Sequence, residues 1–170
     1  HGIILSFLLL LSFYFNGSFM MEWGLIASVT LFAAWFFHED NVKVAIDQIS
    51  FTLFGVLYVA GLGGYSLLIR NFGDGERLIF FLLLIVWLGD IAAYYWGKHF
   101  GKKPLAPVVS PNKTMEGAIA GLVGSLAAGA IAGYWFLGHI AMAHCLLVAL
   151  ICGTIGQFGD LAESLLKRHA

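Results

Sequence analysis

Charge is scarce in this chain: nine Lys and Arg and ten Asp and Glu make up 11% of its 170 residues. A soluble domain carries about 25% charged residues, with about 45–50% apolar. Here 60% are hydrophobic. A globular interior at this chain length cannot hide that excess, so lipid must cover it. Basic excess is lacking too, because the formal net charge is −1. That excludes the basic footprint of a nucleic-acid partner. Cysteine is limited to Cys145 and Cys152, seven apart on one helical side. This forms neither a disulfide framework nor a zinc spacing. The two thiols read as small apolar core residues. The chain also lacks an initiating Met, a positively charged leader and a cleavage site; it opens at His1 into the apolar run Gly2–Phe15. With its equally abrupt end at Lys167-Arg168-His169-Ala170, it reads as a fragment of a longer protein.

Long apolar runs and aromatic residues are what the chain has in plenty. Fifteen Phe, five Trp and six Tyr suit lipid-facing and interfacial positions. A spanning helix needs about 20 mostly apolar residues. Six candidates are read: Gly2–Phe15 (short), Phe19–Phe37, Ile49–Ile69, Leu78–Gly97, Met115–Leu137 and Ile140–Leu166. The expected fold is an all-α, polytopic transmembrane bundle of about six spans. It forms a single unit of organisation, with spans in 1–69 serving structure and 78–168 carrying the motifs. No soluble domain, linker or low-complexity tract interrupts it.

Lys and Arg in the loops set the expected orientation. The Lys98–Thr114 connection holds Lys98, Lys102, Lys103 and Lys113, and the last span exits into Lys167 and Arg168. Both segments are therefore predicted to be cytoplasmic. The loop His38–Gln48 falls on that side and dissents weakly, with three acids against Lys43.

The fifth candidate span carries Gly117, Gly121, Ser125, Gly129 and Gly133 at four-residue spacing. Small residues at that spacing let a neighbouring helix approach closely. Gly153, Gly156 and Gly159 are expected to do the same on the sixth. Gly61-Leu62-Gly63-Gly64 superficially resembles a phosphate loop. It lies mid-span without a preceding strand and is discarded.

Ionisable groups inside a span are costly and point by default to function. Asp90 lies eight residues before Lys98, and Asp160 seven before Lys167. At 1.5 Å per residue each is roughly 11–12 Å in from its lysine. Both follow a glycine, Gly89 or Gly159, which admits a second helix or a ligand. Gln157, Asp160, Ser164 and Lys167 form one polar stripe, with Glu163 beside it. Two readings stand level. Carboxylates hold a hard cation while basic groups hold phosphate oxygens, or the carboxylates form internal ion pairs, such as Asp90 with a lysine elsewhere. In the connecting loop, Ser110-Pro111 starts a turn and Pro111 fixes the backbone entering the fifth helix. Thr114 is placed to cap that helix, with Gly117 at the box position. An exposed helix N-terminus binds anions, assisted by Lys113 and Thr114. Lys102 and Lys103 read as a basic loop that sets topology or touches anionic lipid.

These residues resemble the phosphatidate cytidylyltransferases (CDP-diacylglycerol synthases). Three stretches carry the resemblance. Asp90-Ile91-Ala92-Ala93-Tyr94 with Gly97-Lys98 and Gly101-Lys102 is similar to the family's Asp-x-x-Ala-Tyr and Gly-Lys-x-x-Gly-Lys segment. Residues Ser110 to Gly117 resemble its Ser-Pro-x-Lys-Thr-x-Glu-Gly motif. Residues Gly159 to Arg168 resemble the opening of its C-terminal signature. They occur in the family's order and run from Asp90 to Arg168. The first half of the chain shows only matching hydrophobic spans.

The resemblance implies an enzyme that joins CTP and phosphatidate into CDP-diacylglycerol and pyrophosphate, in phospholipid biosynthesis, with Mg²⁺. It implies Asp160, Lys167 and Arg168 as catalytic, with Asp160 and Glu163 on the metal and Lys167 and Arg168 at phosphates. Ser110, Pro111, Lys113 and Thr114 would line the nucleotide or lipid phosphate pocket. Asp90 and Glu116 would join them, orienting basic residues. It further implies a multi-pass protein of a bacterial inner membrane, its site facing the cytoplasm and membrane lipid around it. A second copy of the chain is a candidate partner, and nucleic acid is not. The family signature continues past Lys-Arg into a Lys-Asp segment and an acidic cluster. The chain stops at Ala170, so the 170-residue piece alone is expected to be inactive. The alternative from a different class is a transporter or channel that uses Asp90 and Asp160 as ion or proton sites. It wants an inverted repeat, and no convincing pairing of halves is found.

Overall fold

The structure, a computed structural model, describes residues 2–14, 26, 30, 50–52, 54–107 and 109–169; of residues 166–169 the backbone alone is described. Among the described residues four helices are long and apolar enough to cross a membrane: Ser50–Arg70, Gly75–Phe100, Met115–Trp135 and Met142–Leu165. A helix of 21 residues is about 32 Å long, enough for a hydrocarbon layer of about 30 Å. These four coincide with the third to sixth expected spans. The first candidate is the helix α1 (Gly2–Tyr14), whose 13 residues reach only about 20 Å. The second, Phe19–Phe37, lies outside the described residues except for Ile26 and Thr30. The chain is therefore a helical membrane protein.

The chain divides into two compact units, residues 1–75 and 76–170. In the first, α1 packs on the span Ser50–Arg70, which ends as a π-helical turn (Val56–Gly61) followed by α2 (Leu62–Arg70). The Phe13 ring lies against Gly64, and its centroid is 5.7 Å from that of Tyr65. Gly61 to Gly64 are helical throughout, so no phosphate loop forms there.

The second unit holds α3 (Gly75–Phe100), β1 (Pro104–Ala106), β2 (Ser110–Thr114), α4 (Met115–Trp135) and α5 (Met142–His169). The core is built from Phe81, Ile85, Ala128, Ala132, Leu137, Cys145 and Ala149. Both cysteines are free, Cys145 buried and Cys152 half-buried, as core positions require. α4 lies between its two neighbours, and its small-residue face is buried: Gly117, Gly121, Ser125, Gly129 and Gly133 all lie inside. A methyl group on Gly121 would stand 3.2 Å from the Gly89 carbonyl oxygen of α3. One on Gly129 would stand 2.7 Å from the Ala149 methyl of α5. The expected close approach is thus present on both sides. Ser125 marks the crossing, for its buried Oγ donates to the Ile85 carbonyl at 3.3 Å and faces both Gly89 and Gly153. Gly156 departs from expectation: a side chain there would meet open space, because it turns outward from α4. The exterior carries Trp87, Ile91, Val123, Ile155 and Phe158, all exposed large hydrophobics, which suit lipid.

The connection after α3 is more ordered than a loop. β1 and β2 pair antiparallel, with Pro104 opposite Thr114 and Ala106 opposite Ser110. Pro111 does not enter the helix as expected; it sits inside β2. A two-stranded sheet consists only of edges, where proline's missing N–H is tolerated. The extended residue that does enter α4 is Thr114, with φ −117° and ψ 153°.

Candidate active site at the lysine-rich end

The C-terminal end of α3, the hairpin, the start of α4 and the second half of α5 meet at one end of this unit. The corner is fixed by backbone satisfaction. Thr114 Oγ1 accepts the Gly117 N–H at 3.2 Å, the cap expected from the sequence. Glu116 Oε2 accepts the N–H groups of Lys102 at 3.0 Å and Lys103 at 3.2 Å. The Met115 N–H donates to the Lys103 carbonyl at 2.9 Å. Glu116, placed in the substrate pocket by sequence, here orients the backbone of two lysines rather than their side chains. Those side chains stay exposed.

Lys113 leaves β2 toward α5, and its Nζ lies 2.6 Å from Asp160 Oδ2. One turn earlier on α5, Gln157 Nε2 donates to the Ala118 carbonyl of α4 at 2.8 Å. Ser164 Oγ donates back to the Asp160 carbonyl at 2.9 Å. From α3, Asp90 comes within coulombic reach of both Asp160 and Lys113. The hairpin and α5 thus bring an ammonium and a carboxylate into contact.

Not every expected residue joins them. Ser110 and Pro111 begin β2, about 10 Å and about 7 Å along the strand from Lys113. Glu163 is exposed, one turn beyond Asp160. Lys167 and Arg168 continue the helix α5, and their side chains lie outside the described residues. Among the described residues no group of three or more His, Cys, Asp or Glu side chains converges on a metal position. The internal ion pair weighed at the outset does form, but through Asp160 and Lys113 rather than Asp90. Sequence reading saw Gln157 in the polar stripe and gave it no task. Its signal was that it is an uncharged amide in an otherwise apolar helix.

The sequence is similar to those of known proteins. The chain is 40% identical over 120 residues to a phosphatidate cytidylyltransferase of Staphylococcus saprophyticus, covering 71% of this chain and 45% of that protein. Against the phosphatidate cytidylyltransferase of Bacillus subtilis it is 37% identical over 124 residues, covering 72% and 46%. Against that of Staphylococcus epidermidis it is 36% identical over 146 residues, covering 86% and 55%. The chain spans about half the length of the curated relatives it matches. No solved structure matches it. The transporter alternative gains no support from these relatives. The model of the cytidylyltransferase family matches residues 1–170, and the chain belongs to that family.

Proposed function

We propose that the protein carrying this chain is a phosphatidate cytidylyltransferase, with its site at the lysine-rich end of α3, α4 and α5. The observation that carries the reading is the contact of Lys113 with Asp160 at the end of the helices where the family-like motifs converge, with Asp90 of α3 in electrostatic reach. A phosphatidate oxygen forms a bond to the α-phosphorus of CTP, the bond to the β-phosphate oxygen breaks, and pyrophosphate leaves. Such a transfer is mainly positioning and charge neutralisation. Lys113 is the ammonium placed to meet a phosphate oxygen. Lys167 and Arg168, at the end of α5, are assigned the same duty. Ser110, Pro111 and Thr114 line the approach along the hairpin.

Asp160, with Glu163 one turn on, would hold Mg²⁺. Two carboxylates fit an ion that is ordinarily held by one or two of them with water and substrate phosphate. Bound there, the ion supplies positive charge beside the phosphates. We place this end at the cytoplasmic face of a bacterial inner membrane, because its loop is the lysine-rich one. Lipid covers the apolar exterior, where a second copy of the chain is the candidate protein partner.

The test is transfer of labelled CTP into lipid by membranes containing the full-length protein, with phosphatidate and Mg²⁺ supplied. CDP-diacylglycerol should form with one pyrophosphate per lipid. Absence of phosphatidate-dependent labelling would overturn the reading.

A further inference from the structure

We propose that Gln157 is a positioning residue for Asp160, setting the axial register of α5 against α4. For its catalytic consequence the proposal rests on the cytidylyltransferase reading. Its geometry stands alone.

The α4–α5 contact is made by small residues, Gly129 and Gly133 facing Cys145, Ala149 and Met142. Such a surface packs closely but has few protruding side chains to resist sliding. Lipid supplies no hydrophobic force between helices, so close packing and interhelical hydrogen bonds must define the register. Gln157 is the polar side chain that crosses this contact. Its amide donates to Ala118 O at 2.8 Å, part-buried. That carbonyl lies in the first turn of α4, held by the Thr114 cap and by Glu116. Gly121 leaves room for the amide: a methyl group there would come within 3.2 Å of Gln157 Nε2. The acceptor is therefore rigid and the donor's space is kept open.

Gln157 and Asp160 are three apart, on one side of α5. Pinning the first sets where the second stands. A slip of one residue rise is about 1.5 Å, enough to break the 2.6 Å contact between Asp160 and Lys113. The amide is neutral and is already engaged by the backbone of α4, which separates its task from phosphate neutralisation.

The experiment has two arms in the full-length protein, with Cys152 replaced by Ala. In the first, Gly133→Cys on α4 is introduced opposite the native Cys145 of α5, whose Cβ lies 3.4 Å from a methyl group placed on Gly133, close to the usual disulfide span, and the pair is oxidised in membranes. Their disulfide should form at least fivefold more slowly when Gln157→Met is added. This arm needs no turnover, so it decides the register even if CTP transfer is absent and the enzymatic reading falls. In the second arm, with Gly133 native, Gln157→Met should lower kcat at least tenfold while KM for CTP moves less than twofold. Gln157→Asn, one methylene shorter, is the milder variant should the Met protein fail to fold, and the same direction is expected. Unchanged trapping, or unchanged kcat in an active enzyme, overturns the proposal.

Discussion

Lys113 on β2 and Asp160 on α5 hold each other at 2.6 Å. The pair joins the hairpin to the last helix, and it pairs the ammonium we assign to phosphate with the carboxylate we assign to the cation. In the proposed reading, a phosphate would take the ammonium and the cation the carboxylate.

The pair should therefore be sensitive from either side. Removing one preorganised charged group costs roughly 10²–10³ in rate. Asp160→Asn should lower CTP incorporation by about that factor, and Lys113→Met should act chiefly by raising KM for CTP. Steady-state kinetics in mixed micelles measures both. Wild-type rates in Asp160→Asn would remove Asp160 from the mechanism.

Metal removal gives an independent check. Chelation with EDTA should abolish transfer, and Mg²⁺ added in excess should restore it. Asp90→Asn should raise the Mg²⁺ concentration for half-activity several-fold, since a carboxylate in electrostatic reach of Asp160 is lost. A metal-independent rate would contradict the assignment.

The corner of the site has its own stability signature. Thr114→Val deletes the cap of α4 and should cost about 1 kcal/mol, a fall of about 2–4 °C in unfolding midpoint at this chain length. Glu116→Ala frees two backbone N–H groups, those of Lys102 and Lys103, and should also lower the midpoint. Differential scanning fluorimetry in detergent reads both, and an unshifted midpoint in either variant would count against the corner as drawn.

Packing on α4 and α5 should respond asymmetrically. Gly129→Ala pushes a methyl group to 2.7 Å from Ala149 Cβ, and overpacking of this kind typically costs about 1–3 kcal/mol. Gly156→Ala meets open space and should stabilise α5 by up to about 1 kcal/mol. Equal behaviour of the two variants would refute the arrangement of these helices.

Orientation is tested by labelling. Ser110→Cys, in the hairpin, should react with an impermeant maleimide from the cytoplasmic side only, and His139→Cys, in the connection between α4 and α5, from the opposite side only. The reverse pattern would invert the proposed topology.

The helices were legible because hydrophobic length is a strong signal in a chain with so little charge. The stripe from Gly117 to Gly133 was legible as spacing. The placement of Asp90 and Asp160 on the long helices α3 and α5 was legible from their position within apolar runs. The hairpin was not, because strands of three and five residues are too short to show alternation, and Pro111 argued for a helix start. The partner of Asp160 was also hidden. Spacing along α5 shows which way its carboxylate points, but Lys113 reaches it only because the hairpin folds back. Gln157 was visible as a polar residue, and its acceptor was not, since a backbone carbonyl leaves no mark in sequence. Gly156 misled because a glycine's spacing does not say which side its helix turns to a neighbour.

The buried stripe of α4 has one more consequence. A contact made of Gly, Ala and Ser has almost no side-chain volume left to lose. Trimming it cannot open a void large enough to matter, while nearly any substitution adds bulk. Variation along this helix is thus bounded on one side only. The chain can drift freely on its outward-facing surface, yet it has almost no direction in which to drift along the seam that carries its candidate site.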